Sequence, residues 1–415
     1  MKLYFKIACI LLIMLITRNA YSNFDLLDKY GTQGKKFSVS ISTNGIENSL
    51  STINILDLIS SKYGWNDSII GRIIIGCPSF YIALINHEVV GHGRRAYEFG
   101  GTVTRYSFSL FSAVTYMKNL PNIHLQQNDV TTISGVQINT CLAAKIVNQL
   151  LTTNQPLNPI TAWSYIFSAG NQFWYISHDV TFNMLHRAGT GDLNQHIQNM
   201  ENIYGDNSIR SKIQFLSFLD LIDPMLFASL YTIISGQNIK VPMIPLGQIN
   251  GLGKIGFMPS ANLILTPYNV LEKRITIHIN TEYTPVKVAF GFGRELKSNN
   301  PVSNLSGSHF FTKKDSTSPK IHDTYYFEFS VPRLFSIKKA DLGFSLALWR
   351  QPELMTPVPR YAEIKNGIMG LLNLTFKINN MLSLFAEAGY KTKGFILDQP
   401  IEECAIMNFA LRLTV

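Results

Sequence analysis

The hydrophobic pattern changes its period near residue 240, and this change restricts the chain to a fold built from two different parts. Before that point, apolar residues form long runs with helical spacing, separated by loops rich in Asn, Gln and Gly. Beyond it, apolar and polar residues alternate, as in Arg274 to Asn280, whose three isoleucines share one side. The two periods predict an α+β protein with a helical domain over residues 23–240 and an antiparallel sheet domain over residues 241–415.

The alternating part predicts about eight strands of about 8 to 11 residues from about residue 255 onward. Each strand has one apolar face and one face that carries Gly, Ser, Thr, Asn and charge. This pattern resembles that of outer-membrane β-barrels, and the resemblance implies a C-terminal antiparallel β-barrel or barrel-like sheet with lipid outside. A soluble barrel or sandwich whose apolar face is its core is the alternative. The segment KKFSVSIS near the N-terminus offers one further strand.

The run YIALINHEVVGHGRRAYEFGG contains His87-Glu88-Val89-Val90-Gly91-His92, the zinc-peptidase pattern HExxH with one residue added. In a regular α-helix, histidines five residues apart lie about 140° apart around the axis, which is too far to share a metal ion. A single π-helical turn absorbs one extra residue, and glycine at position 91 permits it most easily. We therefore predict a π-bulge near Gly91 that returns both imidazoles to one face.

With that bulge, His87 and His92 are expected to bind Zn²⁺ as neutral imidazoles and to leave a coordination position open for water. Glu88 is next to the first ligand, and it is the predicted general base for hydrolysis of a peptide or another acyl bond. One alternative makes Glu88 and His92 the ligands and leaves His87 outside. Another has no metal, with His87 and Glu88 as a helix-surface pair and His92 as a core histidine.

Two families resemble this segment. HEVVGH resembles the HExxGH zinc helix of dipeptidyl peptidase III-type metallopeptidases, which tolerate the extra residue. HEVVGHGRRAYEFGGTVTRYSFS is similar to the pattern HExGHxxxAxxxGG, followed by a strand, of site-2-protease-like and related zincin families, through Gly100 and Gly101. Both resemblances imply a zinc metallopeptidase in which His87 and His92 are ligands and Glu88 is the catalytic base.

The third metal ligand lies outside this motif. The first resemblance implies an EExxxE-like segment, but only Glu402-Glu403 is similar, in a β-patterned region, and it is not carried over. Asp223 falls where the zincin resemblance implies an aspartate ligand, and it is the predicted third ligand. A carboxylate there could instead cap the helix that Pro224 begins. The other candidates, in order, are His178, Asp179, Asp220 and Glu98.

The first 22 residues, MKLYFKIACILLIMLITRNAYS, place two lysines before an apolar stretch and a small-x-small site at its end. They predict a signal peptide over residues 1–22, cut after Ser22. A retained membrane anchor is the alternative, although Arg18 interrupts the stretch before it could span a bilayer.

The mature chain carries little that points to nucleic acid or to a disulfide scaffold. Loss of the signal peptide lowers the formal net charge from +9 to +6, and the remaining basic residues are scattered in short pairs. Such scatter predicts no nucleic-acid binding. Cys77, Cys141 and Cys404 remain, so that at most one disulfide can form.

Together these features predict an exported zinc-dependent hydrolase, in the first instance a peptidase, associated with the outer membrane of a Gram-negative type of bacterium. The expected partners are a peptide or protein substrate and outer-membrane lipid, and the expected cofactor is Zn²⁺. The alternative is a non-enzymatic outer-membrane or periplasmic β-barrel protein with a structural or degenerate metal site.

Overall fold

A computed structural model describes most of the chain beyond its N-terminal segment. The described residues are 38–109, 112–118, 125–181, 191–204, 209–249, 253–268, 270–281, 284–294, 323–354, 363–379 and 381–414. The predicted signal peptide lies outside them. Within them the protein is mixed α+β and contains a large antiparallel sheet of ten strands.

The helices fill most of the chain between residues 45 and 235. In chain order they are α1 (Gly45–Lys62), α2 (Ile69–Ile74), α3 (Gly76–Ile85), α4 (Arg94–Glu98), α5 (Leu125–Thr153), α6 (Pro159–Ala169), α7 (Asn171–Thr181), α8 (Asp192–Tyr204), α9 (Ile209–Ser217) and α10 (Pro224–Ser235). A π-helix (Asn86–Gly93) joins α3 to α4, and short 3₁₀ helices lie at Trp65–Asp67 and Phe218–Leu221.

The strands form one large sheet and one separate hairpin. They are β1 (Ser38–Ser42), β2 (Thr102–Phe108), β3 (Ala113–Lys118), β4 (Ile244–Ile249), β5 (Gly253–Leu265), β6 (Leu271–Asn280), β7 (Pro285–Arg294), β8 (Asp323–Ile337), β9 (Ala340–Pro352), β10 (Ile364–Lys377), β11 (Leu382–Lys391) and β12 (Cys404–Thr414). The large sheet has the order β1-β12-β11-β10-β9-β8-β7-β6-β5-β4, and β2 pairs only with β3. Within the described residues this sheet is open, with β1 and β4 at its edges.

The predicted strands are present, and the sheet is larger than predicted. The eight strands expected from about residue 255 are β5 to β12, although they contain 10 to 15 residues each. Four of them, β6, β7, β11 and β12, have the expected length of 10 or 11 residues. The other four are longer because residues beyond the alternating segments continue the ladder, as at Asp323, where β8 begins. The segment KKFSVSIS supplies β1, which pairs antiparallel with β12.

The two faces of the sheet differ in polarity. Exposed apolar side chains follow one cross-strand row from Ile41 through Leu411 and Leu384 to Phe376. The opposite face carries most of the polar and charged side chains of the sheet and faces the long helix α5. A cavity of about 200 Å³ between α5 and this face is lined by charged side chains such as Arg274 and Glu328. The apolar face of the sheet therefore points away from the helices.

The hydrophobic core lies among the helices and where they meet β5 and β6. One cluster joins α1, α3, α5, α6 and α10, and Met258 of β5 packs into it. A second cluster joins α5, α8 and α9 to the ends of β5 and β6. Two helical stretches, Ile69–Glu98 and Gln126–Thr153, are long and apolar enough to cross a membrane. The second of these is the more buried, because α5 lies inside the molecule.

Candidate metal centre

The extra residue of the HEVVGH motif is accommodated by a π-helix over Asn86–Gly93. This confirms the predicted bulge, which includes Gly91. The wider turn brings the imidazole rings of His87 and His92 together, with 4.9 Å between their centroids. His87, Glu88 and His92 are all buried, and their potential ligand atoms lie within 4.8 Å of one another. The motif thus forms one compact cluster.

Glycines allow the π-helix to lie directly against α5. A Cβ atom at Gly91 would lie 2.7 Å from Cα of Gly135, and a Cβ atom at Gly135 would lie 2.3 Å from Nε2 of His87. Real Cβ atoms essentially never approach other heavy atoms this closely. A side chain at either position would therefore displace the helix or the His87 ring.

The backbone of α5 orients His92. Nδ1 of His92 lies 2.7 Å from the carbonyl oxygen of Thr131. Because a carbonyl oxygen only accepts, Nδ1 carries the proton and donates it to this bond. Nε2 is then the atom that can bind a metal ion. A ring N–H donated to a backbone carbonyl is the usual support of a metal-binding histidine.

One aromatic and one polar side chain of α7 contact the ring of His87. The ring of Tyr175 stacks on the His87 imidazole at 5.5 Å between centroids, with 3° between the planes. The side-chain amide of Asn171 lies 3.5 Å from Nδ1 of His87. These contacts hold the His87 ring with Nε2 directed toward His92.

Asp192 is the carboxylate that meets both imidazoles. Its Oδ2 atom lies 2.8 Å from Nε2 of His87 and 3.0 Å from Nε2 of His92. Burial alone would raise the pKa of Asp192, but the adjacent His92 and His87 rings hold it well below its ordinary value. Three atoms that carry lone pairs converge here, so a proton or a metal ion must lie between them.

The position of Asp192 is fixed by a buried pair one turn further along α8. Nδ1 of His196 lies 2.8 and 3.0 Å from the two carboxylate oxygens of Asp129 on α5. Nδ2 of Asn199 donates to the same carboxylate at 3.2 Å. Asp129 and His196 are both fully buried. Because residues four apart lie on one helix face, this contact turns Asp192 toward the histidines.

Glu88 is held separately from the three converging atoms. The hydroxyl of Thr115 on β3 donates to the Glu88 carboxylate at 2.6 Å and contacts the Glu88 carbonyl oxygen at 3.2 Å. The β2–β3 hairpin therefore fixes the carboxylate beside the imidazoles of His87 and His92. This arrangement supports a general base better than the alternative in which Glu88 is a ligand and His87 lies outside.

The structure gives the predicted third ligand, Asp223, a different role. Asp223 is the N-cap of α10, where its carboxylate accepts from the Met225 backbone N–H at 2.9 Å. The same side chain accepts a hydrogen bond from the hydroxyl of Tyr165. Its buried oxygens are thus satisfied by two donors. Asp192 replaces Asp223 as the carboxylate at the histidines.

The lower-ranked candidates are also engaged elsewhere where the structure describes them. Asp220 accepts from the Leu263 backbone N–H at 2.8 Å and from Gln172 at 3.0 Å. Glu98 forms an ion pair with Arg95 and accepts from the backbone N–H of Ile401. The side chains of His178 and Asp179 lie outside the described residues.

Sequence analysis missed Asp192 because no spacing rule connects it to the motif. It lies 100 residues beyond His92, at the start of an amphipathic helix with the sequence DLNQHIQNM. The signal that could have found it is the pair Asp192 and His196, which places two potential ligands on one helix face. Only the fold shows that Asp192 meets the motif and that His196 turns to Asp129.

The donor atoms of His87, His92 and Asp192 are of the kinds that bind a zinc ion. Catalytic zinc takes three protein ligands from histidine nitrogen and carboxylate oxygen and keeps a fourth position for water or substrate. In a tetrahedral site with bonds of about 2.0 to 2.1 Å, neighbouring ligand atoms lie roughly 3.3 Å apart. The Asp192 oxygen lies 2.8 and 3.0 Å from the two imidazole nitrogens, a few tenths of an ångström closer than this, which is expected when a proton joins them.

Comparison with known proteins adds no family to this picture. No family model matches the chain, and neither the curated proteins nor the solved structures contain a match.

Proposed function

We propose that the protein is an exported zinc-dependent hydrolase, with peptides as the first substrate class, and that its β-sheet places it at the outer membrane. The observation that carries the catalytic part is the convergence on one point of two imidazole nitrogens and the Asp192 oxygen. The carboxylate of Glu88 lies beside this point. The proposed ligands are His87, His92 and Asp192.

The reaction would divide between the ligand set and the buried carboxylate. Zinc held by two histidines and an aspartate supplies a Lewis acid that polarises a carbonyl group and activates water. Glu88 accepts the proton of the attacking water and passes it to the leaving amine as the C–N bond breaks. Thr115 holds the Glu88 carboxylate in place for both transfers.

The membrane part of the proposal rests on the sheet. Its outer face carries apolar side chains that are exposed to a degree unusual for a water-soluble protein, such as Leu372, Met407 and Phe409 at 57%, 66% and 56%. Large contiguous apolar surfaces mark sites of membrane or protein contact. Outer-membrane strands alternate in the same way, with apolar residues toward lipid and polar residues toward the interior.

A second function is favoured by the burial of the site. His87, Glu88 and His92 are at most 6% exposed, and among the three proposed ligands Asp192 has the most exposed side chain, at 28%. Structural zinc sites are closed, whereas catalytic sites keep an open position. The second candidate is therefore a non-enzymatic envelope protein in which the metal holds α8 to the π-helix.

Zinc content and a Glu88 variant separate these functions. We expect the purified mature chain to hold one zinc ion, and His87→Ala combined with His92→Ala to abolish zinc binding. Glu88→Gln should retain the zinc but lower the hydrolysis of a mixed peptide library by at least about a hundredfold, because a general base contributes 10²- to 10⁴-fold.

Thr52→Val is a matched control, since the Thr52 hydroxyl is exposed and bonds only within α1. It should leave both zinc content and hydrolysis unchanged. A wild-type chain without zinc would exclude the metal site. Stoichiometric zinc with no hydrolysis of any peptide or ester would favour the structural function, and hydrolysis that survives Glu88→Gln would remove Glu88 as the base.

A further inference from the structure

One edge of the open sheet is covered by a helix. The backbone N–H of Ser40 on β1 donates to the hydroxyl of Ser51 on α1 at 2.8 Å. The backbone N–H of Ser42 donates to Asn48 at 2.9 Å, and the Asn48 amide donates back to the Ser42 carbonyl at 3.0 Å. Polar side chains of α1 thus satisfy backbone groups that a free strand edge would leave unpaired.

From α1 the helices continue to the other edge of the sheet. Helix α1 packs on α6, α6 packs on α10, and α10 contacts β5, the neighbour of the edge strand β4. Leu157, just before α6, and Ile239, just before β4, exchange backbone hydrogen bonds. A layer formed by α1, α6 and α10 therefore extends from the β1 edge to β5, the strand next to the β4 edge.

The outer side of this helical layer is apolar. Residues 224–239 contain no charged residue, and Arg72 is the only one in residues 69–86. Large apolar side chains of α2 and α10 are between 47% and 70% exposed: Ile70, Ile73, Ile74, Phe227, Leu230 and Ile234. The hydropathy of Ile69–Glu98 suffices for a membrane span, yet only 39% of its apolar window is buried.

The one charged side chain in these two stretches is buried and hydrogen-bonded inside the layer. Arg72 is 8% exposed. Its guanidinium donates to the carbonyl oxygens of Ile233, Ile234 and Asn66 at 2.8 to 3.1 Å. These donations satisfy the last carbonyls of α10, where a cation is favoured by the helix dipole. Arg72 therefore ties α2 to α10 without presenting its charge at the surface.

We propose that the exposed face of α2 and α10 is buried in lipid acyl chains and continues the lipid-facing surface of the sheet. Ile244 and Leu246 of the edge strand β4 are 49% and 62% exposed, and they extend the apolar surface from α10 toward β5. Open sheet edges do not occur against hydrocarbon, and α1 covers the β1 edge of this sheet. This inference rests on the membrane part of the proposed function and is independent of the zinc chemistry.

Spin labels on single cysteines test it. The mature chain, with Cys77 and Cys404 changed to Ser and Cys141 to Ala, is labelled at Phe227→Cys or Ile234→Cys and reconstituted in phosphatidylethanolamine–phosphatidylglycerol vesicles. Both side chains are more than half exposed, so the labels leave the packing intact. We expect oxygen, which concentrates in lipid, to relax both labels at least about threefold more than a water-soluble nickel chelate.

Two reference positions keep the outcomes separate. Leu372→Cys on the outer face of β10 should behave like the α10 labels, whereas Glu363→Cys, whose side chain is 77% exposed before β10, should favour the nickel chelate. If oxygen relaxes the label at Leu372 more strongly but the nickel chelate relaxes the labels at Phe227 and Ile234 more strongly, the inference is overturned. The proposal that the sheet faces lipid would then still stand. Low access to both reagents would also overturn it. In that case, dipolar coupling between labels on two molecules would show that a second copy covers the α10 face. Without such coupling, we would assign the cover to another part of this chain.

Discussion

At the residue scale, Gly135 determines whether His87 can occupy its place in the metal centre. A methyl group at this position would lie 2.3 Å from Nε2 of His87. We therefore expect Gly135→Ala to move the ring and to weaken zinc binding by about tenfold or more, as the loss of a positioning contact does. Competition with a fluorescent zinc chelator measures the change in Kd.

Gly370→Ala is the matched control for this substitution. A Cβ atom at Gly370 meets no atom within 4 Å, so that the same chemical change should leave zinc affinity as it is. Equal affinities of the two variants would show that the ring tolerates the methyl group or that His87 is not a ligand.

A second contrast at this scale compares two buried aspartates. Asp192→Ala should remove a ligand and lower zinc affinity by at least about a hundredfold. Asp223→Ala should keep zinc, because this carboxylate serves Met225 and Tyr165. Its loss should lower the free energy of unfolding by about 2 to 4 kcal/mol, from a lost helix cap and an unsatisfied hydroxyl. Zinc titration and chemical denaturation of both variants decide the assignment, and loss of zinc in Asp223→Ala alone would restore Asp223 as the ligand.

At the element scale, one stretch of α5 organises the whole metal centre. Asp129 holds α8, the carbonyl of Thr131 holds His92, and Gly135 makes room for His87. These positions span fewer than two helical turns and contact two different elements, α8 and the π-helix. The apolar spacing of the sequence predicts that α5 is a helix. The role of each residue on α5, however, depends on which element packs against that residue.

The pair of His196 and Asp129 gives a prediction about α8. His196→Ala should raise the zinc Kd by about 10- to 100-fold, since Asp192 would lose the contact that orients its helix. His196→Asn should bring the Kd back to within a few fold of wild type, because the asparagine amide can donate to Asp129 from nearly the place of Nδ1.

The control is His278→Ala, which removes an equally buried imidazole from the sheet. It should leave the zinc Kd unchanged even if it lowers stability. If the alanine and asparagine variants at position 196 both bind zinc with the wild-type Kd, the pair of His196 and Asp129 has no positioning role.

The π-helix shows how far sequence reasoning reaches at this scale. The five-residue spacing of His87 and His92 required a wider turn, and geometry alone predicted it near Gly91. The proposed third ligand, Asp192, could not be found in this way, since it approaches the histidines through long-range packing of α8 on α5. Asp223 has the ordinary signature of a helix cap before Pro224, and the local pattern correctly allowed that role as an alternative.

At the scale of the whole molecule, the alternating pattern determined the sheet but not its surroundings. Period-two spacing after residue 253 is local and gives β5 to β12 directly. The pairing of β1 with β12 joins segments almost 370 residues apart, and sequence could offer β1 only as a possible addition. That the polar face lies toward α5 and the cavity beside it follows from the need to solvate or pair its charges.

The proposed lipid-facing role of the sheet predicts that the cost of a charge depends on its depth along a strand. On β10, Asn366, Leu372 and Leu374 share the outer face, with Asn366 near the strand end and Leu372 in the middle. Arginine at the middle of a membrane strand costs about 2 to 4 kcal/mol, but near the interface about 0 to 1. Leu372→Arg should therefore destabilise the vesicle-reconstituted protein by the larger amount and Asn366→Arg by the smaller, as measured by reversible urea unfolding. In a water-exposed sheet both substitutions would change stability by less than about 0.5 kcal/mol, and that result would remove the sheet from the membrane.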